Sequence, residues 1–322
     1  MMKRYLHPLY LLFVVCYLPC YAQQTIKVID GQTNRPVPYA TVSFFLKNVA
    51  YATDKEGLLQ VHADLALKQG DSLCISRMGY QVKKTVFTVS DGTITLNVQK
   101  ALAESKKSQI GAKDILNEVE PDSIDRFAGM ETGIDSANYL QLAQKFYLKQ
   151  AGAVLNEVTL YQHILIEDYP KAVPAYERPK KLGRKLHFRL RFYDVDSLTG
   201  KPGNELNDRL VEVAGSFEKT IRVDLGQYKI FVPGKYFFVA VEWVRNRANG
   251  VLLEAEIQTK PSDIGYGIEY FLKYMPSVAM SPRLSINQNI WKLNLRNQWQ
   301  PYTYFAPEFT DLAIMVKLNY LK

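Results

Sequence analysis

Between Lys185 and Phe192 every second residue is apolar: Leu186, Phe188, Leu190 and Phe192 alternate with His187, Arg189 and Arg191. A period of two gathers the apolar set on one face of an extended strand and the charged set on the other, and no helix can do so. The same habit recurs along the chain in shorter runs. Thr25 to Asp30, Pro36 to Phe44, Ser72 to Ser76 and Thr93 to Val98 are β-branched segments separated by Gly, Asp, Asn and Pro, with no helical period of any length between them. An all-β chain is expected, made of two β-sandwich domains.

The N-terminus follows another logic. Met1-Met-Lys-Arg4, an apolar run from Leu9 to Leu18 and Cys20-Tyr-Ala22 before Gln23 form the charged, apolar and small-residue regions of a secretory signal peptide, assigned to residues 1–22. The apolar run is about half the ~20 residues that cross a bilayer, so no transmembrane segment is expected in the mature chain. Leu18-Pro19 before Cys20 departs from the small-residue pattern of lipoprotein processing. The expectation is export by the Sec route to the periplasm or outer cell surface. Loss of Cys16 and Cys20 with the signal leaves Cys74, which has no partner for an internal disulfide and sits in an alternating run as a buried thiol would.

The formal charge of +8 falls to +6 without Lys3 and Arg4, and the basic residues are scattered except in Arg178-Pro-Lys-Lys-Leu-Gly-Arg-Lys185. That run reads as a solvated loop, or as a contact for an anionic surface such as lipopolysaccharide or acidic glycan. Nucleic acid is not an expected partner of an exported chain.

Residues 23–99 read as a strand-and-turn sandwich, 100–137 as a polar linker, and 138–322 as a second, jelly-roll-like sandwich of about eight strands. In the first domain the order Val28-x-Asp30, Pro36-Val37, Ala40-x-Val42, Thr53-Asp54-x-x-Gly57, Gly70-Asp71-x-Leu73 and Ser76-x-x-Gly79-Tyr80 resembles the carboxypeptidase regulatory-like domain of exported Bacteroidetes proteins. The resemblance covers about a quarter of the chain. It implies a prealbumin-like sandwich serving as scaffold or adhesion module, and no catalytic residue. The run from Phe188 through Trp243 resembles the second domain that follows this module in uncharacterised exported Bacteroidetes proteins, which carries no assigned activity.

Catalytic patterns are wanting. A zinc peptidase needs two histidines and a carboxylate around one open metal position. The nearest approach is His163-Ile-Leu-Ile-Glu167, which matches no zinc motif, and the Gly-x-Ser-x-Gly elbow is absent. Glu242 beside Trp243 reads as a solvated strand face. No enzyme is expected.

Two binding readings remain. Asp194, Asp196 and Glu205 flank a Gly-rich turn as hard oxygen donors for calcium, although the spacing fails the EF-hand pattern and the simpler reading is a hairpin turn. Aromatic residues crowd the last 60 or so residues, and Asn297 to Pro307 reads as a loop in which Trp299, Tyr302 and Tyr304 lie beside Gln298 and Gln300. Ring faces that stack on pyranose C–H groups, with amides for the hydroxyls, are the chemistry of glycan recognition; the alternative is closure of the sandwich core. The leading expectation is a non-catalytic binding or assembly module, with an outer-membrane protein partner or an unrecognised hydrolase as competing classes.

Overall fold

The computed structural model describes residues 24–47, 49–61, 65, 67–88, 92–97, 110–120, 124, 126–132, 139–163, 185–207, 209–216, 218–245, 250–258, 266–281, 289–303 and 306–321. The expected signal peptide and nearly all of the basic run from Arg178 lie outside them. Among the described residues the chain is all-β, and no helix is long and apolar enough to cross a membrane.

Seven described strands form the first unit: β1 (Thr25–Asp30), β2 (Thr41–Phe44), β3 (Val49–Ala52), β4 (Leu58–Gln60), β5 (Ser72–Ser76), β6 (Lys83–Val86) and β7 (Thr93–Leu96). They make two sheets, β4-β1-β7 and β3-β2-β5-β6; β1 runs parallel to β7 and every other pair is antiparallel. Alternation in β1 turns Ile26 and Val28 inward to meet Val42, Phe44, Leu73, Ile75 and Leu96. Cys74 is buried in β5, and desolvation pushes its thiol pKa up, so the thiolate is suppressed.

The turns are locked by the polar residues noted in the sequence. Asp54 accepts hydrogen bonds from the backbone N–H groups of Glu56 and Leu58. Thr53 Oγ1 accepts from Ala40 N and donates to Val37 O. Gly57 has φ +71°, and a Cβ there would lie 2.7 Å from Val28 O, so the turn needs glycine for conformation and for space. Asp30 and Tyr80, 50 residues apart, meet: the Tyr80 hydroxyl donates to Asp30 Oδ2 at 2.8 Å, while Oδ1 accepts from Gln32 and Thr33 N–H.

The Thr33 N–H, the Tyr80 hydroxyl and the Gln32 N–H hold the Asp30 carboxyl at about 2. A folded-state pKa below the unfolded value contributes stability that is present above about pH 4 and is lost as pH falls through 2. Asp30→Asn should therefore be less stable than the parent at pH 7, with the gap closing towards pH 2 in thermal melts. A gap independent of pH would refute the assignment.

Sixteen further described strands form the second unit. They are β8 (Ile110–Leu116), β9 (Phe127–Thr132), β10 (Tyr139–Tyr147), β11 (Ala153–His163), β12 (Lys185–Val195), β13 (Pro202–Glu205), β14 (Val211–Ser216) and β15 (Thr220–Asp224), followed by β16 (Phe231–Val232), β17 (Tyr236–Trp243), β18 (Gly250–Gln258), β19 (Tyr266–Ser281), β20 (Ile290–Asn294), β21 (Trp299–Pro301), β22 (Asp311–Leu312) and β23 (Ile314–Leu321). One sheet of seven strands has the order β13-β12-β17-β10-β20-β21, with β14 paired to β12. Another of nine follows β18-β19-β11-β23-β8, with β15 and β16 on β11 and β9 and β22 on β19.

The strand number is twice that expected, and the segment expected as a polar linker supplies two of the strands, β8 on β23 and β9 on β19. Its polarity is that of an edge: β8 closes the nine-stranded sheet and leaves Ile115 exposed. Residues 299–301, expected as loop, pair with β20 as an edge strand.

The core lies between the two sheets. Phe188, Leu190 and Phe192 of β12, Phe237, Val239 and Val241 of β17 and Leu142 and Phe146 of β10 face Leu155, Val158 and Leu160 of β11 and Ile314, Val316 and Leu318 of β23. Trp243 crosses this layer, its indole N–H donating to Pro276 O at 2.9 Å, and Tyr139 packs edge-on between Trp243 and Tyr302. Gln144, turned inward, donates to Asp311 Oδ1 at 2.6 Å and accepts from Leu312 N–H at 2.7 Å, which satisfies both groups where no water reaches.

Candidate functional site

The apolar alternation of β12 packs the core, and its charged alternation leaves His187, Arg189, Arg191 and Tyr193 on the outer face of the seven-stranded sheet. Strand register arranges that face in rows. Arg189 lies directly between Glu212 of β14 and Glu242 of β17, and the row continues through Gln141 of β10 and Leu293 of β20 to Trp299 of β21. The next row reads Arg191, Ala240, Ala143, Trp291 and Pro301. The third reads Glu205, Tyr193, Phe238 and Lys145.

The first row is charged yet sealed. Arg189 is fully buried and Glu242 is 3% exposed, so the expectation of a solvated Glu242 is corrected. Glu242 Oε1 lies 3.3 Å from Arg189 Nη1, and its Oε2 accepts from Arg191 Nη1 at 2.8 Å. Arg191 Nη2 is paired with Glu205, and Arg189 Nε lies 3.4 Å from Glu212. Burial alone would raise the Glu242 carboxyl, but the Arg191 and Arg189 guanidiniums outweigh it and hold the pKa below its ordinary value. An acid held ionised between two fixed cations and closed off from solvent is a structural counter-ion and a poor general acid.

The first unit provides the seal. Arg189 Nη2 donates to Tyr39 O, and its guanidinium lies over the Tyr39 ring, which also meets His187 edge-on at 5.0 Å. Tyr39 has φ +54°, a strained conformation for a bulky side chain, held where these contacts converge. Arg77 joins the cluster, and burial followed by repulsion from Arg189 lowers its pKa to about 10. Further along the joint Arg245 donates to Ala50 O and Tyr139 O while Ala52 N–H donates to Arg245 O. Beneath the first unit Arg189 and Arg191 are thus paired with Glu212, Glu242 and Glu205.

Beyond that edge the face becomes aromatic. The small side chains of Ala143 and Ala240 leave a floor across which the Tyr193 ring lies, its hydroxyl donating to Gln141 Oε1 at 2.8 Å and its ring edge-on to Trp299 at 5.4 Å. Phe238, Trp291 and Val195 complete the patch. Trp299 sits at the boundary, with Tyr193 on one flank and Leu140, Leu293, Leu295 and Ala50 of the first unit on the other. Trp291 and Trp299 are both partly exposed. At the far end Lys145 lies over the Tyr236 and Phe238 rings at 5.1 and 6.0 Å, next to the exposed, mutually packed Tyr147 and Tyr236.

The residues singled out in the sequence are therefore separated. Tyr302 is buried against Tyr139 in the core, because Trp299 and Tyr302, three residues apart, leave the ribbon on opposite faces. Tyr304 lies outside the described residues. Gln298 is exposed in the turn before β21, and Gln300 alternates to the face opposite Trp299, so the amide beside the rings is that of Gln141. The acidic hairpin does not converge. Asp196 accepts from the Leu198 and Thr199 N–H groups and the Thr199 hydroxyl, Asp194 accepts from Asn204 N–H, and Glu205 is turned to Arg191. No group of three His, Cys, Asp or Glu spaced for a metal occurs among the described residues. The His163 side chain and Glu167 lie outside them.

Tyr193, Phe238 and Lys145 were not singled out from the sequence. Extending the β12 alternation past Phe192 places Tyr193 on the charged face, but the partners come from β17 and β10, whose register no local pattern specifies. No family model matches the chain, and no curated protein matches it.

Proposed function

We propose that this chain is an exported, non-catalytic binding module that holds a glycan on the outer face of its seven-stranded sheet. The observation that carries the reading is the partly exposed pair Trp299 and Trp291, a ledge set on a buried support of Tyr193, Phe238, Ala143 and Ala240 in which the Tyr193 hydroxyl donates to Gln141. Partly exposed flat rings on a fixed support suit the C–H face of a pyranose. The sealed ion cluster supports a scaffold role for the joint that holds the ledge in place. The likeness of the first unit to the carboxypeptidase regulatory-like domain supports the same role, as Asp30, Thr53, Asp54, Gly57 and Tyr80 all serve its turns.

Affinity gel electrophoresis against a panel of neutral and acidic polysaccharides tests the proposal. Stacking on one aromatic ring is worth ~1–3 kcal/mol where measured for bases, so Trp299→Ala should weaken binding of any retarding glycan at least five-fold. Its unfolding midpoint should change little, because the ring is only partly buried. Unchanged retardation of the variant, or retardation of the parent by no glycan, would end the reading.

A further inference from the structure

We infer that the glycan held on this ledge is a uronate-bearing polysaccharide whose carboxylate is met by Lys145, an inference that rests on the glycan-binding reading. Lys145 stands on the outer face of β10, two residues from the Ala143 floor, about 7 Å along the strand. Across one neighbouring strand it faces Phe238, and across the other it is diagonal to Trp291, the partner of Ala143. Its ammonium is held over the Tyr236 and Phe238 rings. Among the described residues no carboxylate lies within ion-pair distance of it.

The other cations of this face are differently placed. Arg189 and Arg191 are committed to Glu212, Glu242 and Glu205. The Lys145 ammonium has, among the described residues, cation–π contacts only, and these leave its donors for an anion approaching from the open side. A single such cation beside a stacking ledge matches one charge per sugar. A uronate meets both demands, since its single carboxylate projects from the ring rim while the C–H face stays flat for stacking. A polysulfated chain would call for a basic strip, which the described part of this face does not offer.

The test compares polygalacturonate with the same polymer after reduction of its carboxyl groups, by affinity gel electrophoresis and calorimetry of the full exported chain. The parent should retain polygalacturonate at least five-fold more strongly than the reduced polymer, and the advantage should shrink between 50 and 500 mM NaCl. Lys145→Met keeps the stem against Tyr236 and Phe238 and removes the charge. It should lose most of the preference for the acidic polymer while retaining the reduced polymer as the parent does. A Lys145→Met variant that still prefers polygalacturonate, or a parent that binds both polymers equally, would overturn the inference and leave the glycan-binding reading intact. Failure of the parent to bind either of them or any neutral glycan would overturn both.

Discussion

Glu242→Gln should lower the free energy of unfolding by about 3–5 kcal/mol, the range seen when one partner of a buried ion pair is removed. The side chains left behind, Arg189 and Arg191, are 0% and 9% exposed, so water cannot replace the lost carboxylate. Arg189 also donates to Tyr39 O, so the loss should spread to the joint between the two units. Urea unfolding checks the first effect, and faster limited proteolysis between the units checks the second. An unchanged urea midpoint would mean that the cluster is held by other forces. Replacing Arg189, Arg191 and Glu242 together by apolar residues of similar size should recover much of the loss, because the desolvation cost then disappears with the charges. Acid should imitate the single substitution. The Glu242 pKa is depressed in the folded state, so its contribution is present above the ordinary glutamate value of about 4.3 and is lost as pH falls below it.

Trp243→Ala should cost a further class of stability, about 3–5 kcal/mol, by opening a cavity between the sheets. The indole is 3% exposed, packs against Tyr139, and ties the seven-stranded sheet to Pro276 O of β19, an acceptor that the substitution leaves unpaired. Comparison with Trp299→Ala separates the roles of the two tryptophans. The Trp243 change should reduce stability with the glycan affinity of the remaining folded protein intact, whereas the Trp299 change should reduce affinity with stability nearly intact. Equal effects on stability would assign Trp299 to the core and remove the ledge as a site.

Local features of the chain explain much of the first unit. The alternation of Ile26 and Val28, the Asp54 turn and the glycine at position 57 act over a few residues, so their outcome is legible in the sequence alone. Residues 100–137 read as a polar linker because β8 and β9 are strands of modest apolar content whose pairing partners, β23 and β19, lie more than 130 residues further on. Sequence pattern registers burial, and an edge strand buries little.

The candidate site divides along the same line. By itself the sequence determined that β12 would have an apolar face and a charged face, that Trp299 would be near a turn, and that Asp196 would stabilise a hairpin, since each depends on neighbours along the chain. Only the tertiary structure decided that the charged face would be sealed rather than solvated. The carboxylates that neutralise Arg189 and Arg191 come from β13, β14 and β17, and the cover comes from Tyr39 and Arg77 of the other unit. It also decided that Trp299 would lie beside Tyr193, a residue 106 positions earlier, and that Tyr302 would leave the site for the core. Strand order and register set these neighbours, and they are fixed by how two whole sheets share one core, which no short stretch of sequence can specify.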